Sequence, residues 1–337
     1  MDPTFTIRPC KDVDEASYYF LKWPVQEGWN HSTDDAEIRH AFYPCDPDGF
    51  MLATITNKDD GQETVVGMVL ALKHTKDLAW IGCFIVAEQY RGAGYGRRIF
   101  QHAMDYLEGT RYIGLDAKLE KVKSYERVGF ELTGGWTGKT YRGDIVRDVL
   151  NKLKGDNYTD VNILDWQDDG GDDHQALEQL ALLDQQHSGY YRPEFWTHWM
   201  RLHTTAVAGY KARDYGRYAV KVLNADGGVA HFATIRPAVK GFVITLISGD
   251  LHVAEALLRH MAQWIIDSAS DSSTWLLPKD HRMVINGNGC ATNQACMDLY
   301  QGLGFEWVST RERMFFKGVH PSTDPSGLYS IASLTVG

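Results

Sequence analysis

The sequence predicts a mixed α/β protein built as two tandem copies of one fold, and three observations carry that expectation. The first is size and composition. A chain of 337 residues with 44% apolar and 12% aromatic side chains exceeds one domain of usual length and suits packed cores. The second is an internal repeat. Ser124-Tyr125-Glu126-Arg127-Val128-Gly129-Phe130 matches Leu299-Tyr300-Gln301-Gly302-Leu303-Gly304-Phe305, with Tyr, Gly and Phe displaced by 300 − 125 = 175 residues. Tyr141-Arg142-Gly143 and Phe316-Lys317-Gly318 keep the same offset. The third is the alternation of short β-branched runs with stretches whose apolar residues recur every three or four positions.

In the first copy, Thr64 to Leu72 and Trp80 to Val86 read as strands joined by the polar turn Lys73 to Asp77. A helix is predicted from about Gly94, because Ile99, Phe100, Ala103, Met104 and Leu107 fall on one face. Tyr112 to Leu115 reads as a short strand, Leu119 to Arg127 as a helix stopped by Gly129, and Phe130 onward as a closing hairpin. The second copy repeats the theme: a strand from Phe242 to Ile247, then Ser248 to Leu251, then a helix with Val253, Leu257, Leu258 and Met261 on its apolar face. The expected division is 1–147, 148–318 and a tail at 319–337 that starts irregular and ends in an apolar, strand-like stretch. Asp168 to Asp173 (DDGGDD) reads as a linker or exposed turn, since adjacent carboxylates repel and glycines cost entropy to order.

Thirty-four Lys and Arg against 44 Asp and Glu give a net charge of −10, which argues against a nucleic-acid partner. No apolar run is long enough to span a bilayer, and the N-terminal residues lack the pattern of a secretory leader, so a cytoplasmic or nuclear protein without a membrane partner is expected. Five cysteines (Cys10, Cys45, Cys83, Cys290, Cys296) form no C-x-x-C pair or zinc spacing. They read as free thiols, Cys83 as a buried packing residue, and no metal site is expected.

The chemistry concentrates in Val86 to Arg98, a glycine-rich loop between a strand and a helix. Glycines allow close backbone approach, and amides at a helix start favour anions. Gly92, Gly94 and Gly96 give G-x-G-x-G rather than the dinucleotide fingerprint G-x-G-x-x-G, and the G-K-[ST] of a P-loop is absent. What remains is R-x-x-G-x-G at Arg91, Gly94 and Gly96.

With that loop, the strand before it and the downstream Tyr125, Gly129 and Phe130, the sequence resembles the GNAT superfamily of N-acetyltransferases, in its tandem-domain branch. The resemblance covers the first 145 residues well and extends through the repeat to about residue 318. It implies acetyl-CoA as co-substrate. Phe84, Ile85 and Val86 would pair with the pantetheine arm, and an amide near Ile85 would stabilise the oxyanion. Arg91, Gly92, Ala93, Gly94, Tyr95, Gly96 and Arg97 would hold the pyrophosphate. Tyr125 stands where the family often keeps a general acid. The family's usual strand-four Glu is missing from Ala79 to Cys83, so Glu27, His74 and Asp77 are the candidates for the base, with Trp29 as a candidate lining residue on the acceptor side. An Asn seven residues before the Tyr is replaced by Lys118 in the first copy and kept as Asn293 in the second. The second copy lacks the R-x-x-G-x-G loop and carries Asp250 at its helix start, which implies a degenerate cofactor site.

The expected activity is N-acetylation of a primary amine of a small molecule, such as an amino acid. The alternatives are a protein lysine acetyltransferase and a non-catalytic acyl-CoA-binding sensor. A monomer or homodimer is expected.

Overall fold

The computed structural model describes residues 4–57, 59–166, 174–204, 206–207, 210–271, 275–278 and 280–337; the acidic run Asp168 to Asp173 lies outside them. Strand β1 (Thr4–Pro9) leads into helix α1 (Val13–Gln26), whose first turn is capped by the Asp12 side chain accepting from the Glu15 amide at 2.9 Å. An antiparallel meander follows: β2 (Phe50–Thr56), β3 (Glu63–Lys73) and β4 (Leu78–Val86). The Val66 to Leu72 run of β3 is buried on both faces, which is why it reads as a continuous apolar segment rather than an alternation. Helix α2 (Tyr95–Tyr106), β5 (Tyr112–Lys118), α3 (Val122–Glu126) and β6 (Phe130–Asp144) complete the first pass.

The second pass runs through β7 (Leu164–Asp165), α4 (His174–Ser188) and α5 (Pro193–Thr204). A separate two-stranded ribbon, β8 (Ala206–Val207) and β9 (Tyr210–Lys211), precedes β10 (Tyr218–Leu223), β11 (Val229–Ala238) and β12 (Gly241–Ile247). Helix α6 (Leu251–Ser270), β13 (Val284–Cys290), α7 (Gln294–Gly302), β14 (Glu306–Phe316) and β15 (Leu328–Ser330) end the chain.

The main sheet has the order β1-β2-β3-β4-β5-β14-β6-β13-β12-β11-β10-β7, with β15 added on β12. From either edge the order passes through equivalent strands, so the two copies meet about a pseudo-twofold between β14 and β6. At that junction they exchange strands. β14 pairs antiparallel with β5 of the first copy, and β6 pairs antiparallel with β13 of the second.

The expected closing hairpin after Phe130 is therefore corrected. A single 15-residue strand follows, and the partner that a hairpin would supply comes from the other copy. Between Leu132 and Thr137 the register against Glu312 and Met314 shifts, so a bulge stands there instead of a reversal.

Helices α1, α4 and α5 share one continuous core on one face of the sheet, and that core includes Cys83, Ile85, Trp136 and Ile331. Helix α2 packs on the other face of the first copy, α6 and α7 on that of the second. The cysteines are free thiols, and Cys83 is buried as expected. Among the described residues no helix is long and apolar enough to cross a membrane.

Candidate active site

The site begins where β4 and β5 part. They pair in parallel only at Leu78–Tyr112, Ala79–Ile113 and Trp80–Gly114. Above Trp80 they splay, because β4 carries a bulge: Cys83 and Phe84 together oppose the single residue Val69 of β3. Cys83 adopts φ +44°, a left-handed conformation costing a non-glycine residue about 1–2 kcal/mol, and the surrounding packing holds it there.

Strand parity then decides which amides face the gap. The Ala87 amide donates to Val66 O at 2.9 Å, which turns Ile85, two residues earlier, into the β3 ladder opposite Met68. The Phe84 and Val86 peptide groups face away from β3 into the split. This corrects the assignment of Ile85 as the oxyanion donor, since its amide is committed to the sheet. The one-residue offset comes from the bulge, which sequence periodicity does not show.

Beyond β4 the loop is open. Gly92 and Gly94 have φ +80° and +82°, and a Cβ at either would meet nothing within 4 Å. Gly94 is the N-cap of α2, with no side chain bonded to the first-turn amides. Gly96 packs over Phe84 and Val86, with 3.5 Å from its would-be Cβ to each side chain, and Tyr95 stacks on Phe5 at 5.0 Å. Arg91 holds the loop from below: its Nε donates to Val86 O at 2.8 Å and its Nη2 to Glu27 Oε1 at 2.5 Å. Ala93 and Arg97 are exposed. Tyr125, on α3, packs its ring against Phe100 and Phe130, and its hydroxyl has no partner among the described residues. Burial pushes that hydroxyl up to about 12.

Residues 14–130 match the model of the acetyltransferase (GNAT) family. Over those residues the chain is similar to the GNAT acetyltransferases. It is 22% identical over 316 residues to the holothin acyltransferase of Pseudoalteromonas sp. (strain SANK 73390), covering 94% of this chain and 90% of that one. In fold it resembles a putative acetyltransferase from Pyrococcus horikoshii (TM-score 0.66, 16% identity, 99% and 96% of the two chains). It also resembles a tandem GNAT protein from the clavulanic acid biosynthesis pathway (TM-score 0.57, 15% identity, 95% and 100%).

Two of the three candidate bases lie away from the split. Asp77 precedes β4 and lies eight residues, about 25 Å at strand rise, from Ile85. His74, in the same distal turn, bonds through Nε2 to Val336 O at 2.7 Å, and burial lowers its pKa to about 3. Both belong to the wrong end of the hairpin, which a linear reading of a β-turn cannot reveal. Glu27 and Trp29 do sit near the site. Glu27 is bound by Arg91, and the Trp29 ring lies 5.8 Å from Lys118 Nζ.

The second GNAT fold has the same split with different contents. Strands β12 and β13 pair through Phe242–Ile285, Val243–Asn286 and Ile244–Gly287, then part, and β15 fills the gap. Its ties reach both walls: Ile331 N to Asn288 O at 3.1 Å, Ser330 Oγ to Ile244 O at 2.6 Å, and Ser248 N to Gly327 O at 2.8 Å. Asn293 donates to Ser326 O and Leu328 O, and the Tyr300 hydroxyl donates to Tyr329 O at 2.9 Å. At the start of α6, Asp250 accepts from the His252 and Val253 amides, occupying the position that stands open at Gly94. Sequence reasoning missed this plug. Its one local signal is the apolar stretch near the end of the tail, and the 175-residue register adds that Tyr300 and Asn293 sit where Tyr125 and Lys118 do.

Proposed function

We propose that the first copy alone binds acetyl-CoA and transfers its acetyl group to a primary amine of a small molecule. The observation that carries this reading is the contrast between the two splits. In one, β4 and β5 part above Trp80 and the Tyr125 hydroxyl has no partner among the described residues; in the other, the equivalent gap holds β15 and the equivalent hydroxyl is bonded to it. The open glycine loop and uncapped α2 fit a pyrophosphate, whereas Asp250 at α6 opposes one.

When bound, the thioester supplies an activated acyl carbon and a thiolate leaving group. The amides of Gly92 to Arg97 would hold the pyrophosphate, and the Val86 amide the pantetheine arm. The Phe84 amide would stabilise charge developing on the carbonyl oxygen, the largest contribution expected from fixed donors. Tyr125, still protonated well above neutral pH because of its burial, would give its proton to the departing sulfur. With Glu27 held by Arg91 and His74 and Asp77 distant, the proton of the amine would pass to solvent.

Two substitutions at repeat-related positions separate the roles. Tyr125→Phe should lower kcat on the order of 10- to 100-fold with little change in acetyl-CoA affinity. Tyr300→Phe should leave turnover as it was and reduce unfolding stability by about 1 kcal/mol, through loss of its bond to Tyr329 O. Steady-state thiol release and calorimetric binding measure both. Acetyl-CoA binding without thiol release across a broad panel of amines would sink the enzymatic reading in favour of a sensor.

A further inference from the structure

One pair of cations near the split has no anionic partner among the described residues. Lys118 ends β5, and Arg311 of β14 is its register partner across the exchanged strand. Leu115, Ala117 and Met314 face the core under α2, so Lys118 and Arg311 project to the opposite face, the one that carries α1. Counting up in parallel from Trp80–Gly114, with the Cys83–Phe84 bulge taken as one position, sets Lys118 level with Ile85 across the gap, next to the bulge. The glycine loop and Tyr125 approach the split from the α2 side, which leaves the α1 side to the acceptor.

Both cations are half-buried and neither forms an ion pair among the described residues. The nearest carboxylate along β5, Asp116, is taken by Arg313 at 2.9 and 2.8 Å. Arg311 donates one N–H to Thr310 O at 2.9 Å, and burial pushes its pKa down, with Asp116 and Glu120 acting only at longer range. Two indoles complete the cluster. Trp29 lies beside Lys118, and Trp136 Nε1 lies over Gly138, next to Arg311. The indole N–H groups of both are buried without a partner, and Trp136 is only 4% exposed. Two half-buried positive charges without a counter-ion and two buried indole N–H groups without an acceptor are unfavourable, and an anion among them would offset that cost.

We propose that Lys118 and Arg311, with the Trp29 and Trp136 indoles, receive a carboxylate of the acceptor, so that the substrate class is a carboxylate-bearing primary amine such as an amino acid. This rests on the reading that the first copy transfers an acyl group. A carboxylate held next to the bulge leaves an amine a few atoms away facing Phe84. It also explains the replacement of the Asn seen at 293 by Lys at 118. In the second copy that Asn grips neutral carbonyls of the plug, whereas in the first a cation faces an open site.

The test is steady-state thiol release by the full chain with saturating acetyl-CoA. Amino acids are compared with their carboxamides and with aminoalkyl phosphates. The carboxylate form should exceed its carboxamide in kcat/KM on the order of 100-fold. Lys118→Met and Arg311→Met should each cut that ratio at least about tenfold, acting on KM rather than kcat, and Lys118→Arg should keep most of it. If Arg311→Met fails to fold, the Lys118 pair of variants decides. Equal use of carboxylate and carboxamide overturns the anion site while acyl transfer stands, and a preference for phosphates overturns the carboxylate assignment. No thiol release with any amine overturns both.

Discussion

Gly94→Asp is expected to weaken acetyl-CoA binding on the order of 100-fold, about 2.7 kcal/mol, while the chain stays folded. The substitution installs in the first copy the feature the second already carries: Asp250 caps α6 by accepting from the His252 and Val253 amides. At Gly94 the same carboxylate would take the first-turn amides of α2 and place a negative charge where the pyrophosphate is proposed to sit. A Cβ there meets nothing, so the cost to folding is confined to a non-glycine residue at φ +82°, about 1–2 kcal/mol, partly offset by the new cap. The reciprocal change, Asp250→Gly, should not add a second binding event, because β15 still fills that split. Calorimetry reads both. The wild type should bind one acetyl-CoA per chain, Gly94→Asp essentially none at the same concentration, and Asp250→Gly one. Undiminished binding by Gly94→Asp would remove the loop from the site.

The second large effect concerns the seam between the copies. Asp116 of β5 and Arg313 of β14 form a pair whose side chains are only 2% and 1% exposed, separated by 197 residues in sequence. Arg313 also donates to the Tyr190 hydroxyl at 3.2 Å and lies against the rings of Trp136 and Trp80 at 4.0 and 4.6 Å. Burial lowers the pKa of Arg313, and Asp116 together with the Tyr190 hydroxyl more than reverses that, so the buried charge is compensated by these partners. Asp116→Ala should therefore destabilise the protein by about 3–5 kcal/mol, since it leaves a buried charge unmatched. Replacing both residues, as Asp116→Leu with Arg313→Met, should recover much of the loss. Denaturant unfolding of the two variants checks this, and equal destabilisation would show that packing, not charge, holds the seam.

The two effects differ in how far the sequence announced them. The loop of Arg91, Gly92, Gly94 and Gly96 stands out in the sequence because its glycines, its strand and its helix start are contiguous in the chain. Tyr125 stands out for a related reason, since the repeat places Tyr300 at the matching position. His74 and Asp77 misled because a turn residue and a site residue can belong to the same short segment yet lie at opposite ends of a strand. Ile85 misled by one position. The bulge at Cys83 inverts which peptide groups face the gap, and nothing in an apolar run marks a bulge.

By itself, then, the sequence determined the α/β class, the duplication, and the glycine-rich loop of the first copy that the second lacks. All of these rest on contiguous residues or on one constant offset. Only the tertiary structure decided that β6 and β14 change places, that β15 enters the second split, and that Lys118, Arg311, Trp29 and Trp136 meet beside the first. Strand exchange and the plug are choices among partners with similar β-forming patterns far apart in the chain. Burial and backbone hydrogen bonding across the whole sheet select among them, and those contributions exist only once the sheet has formed.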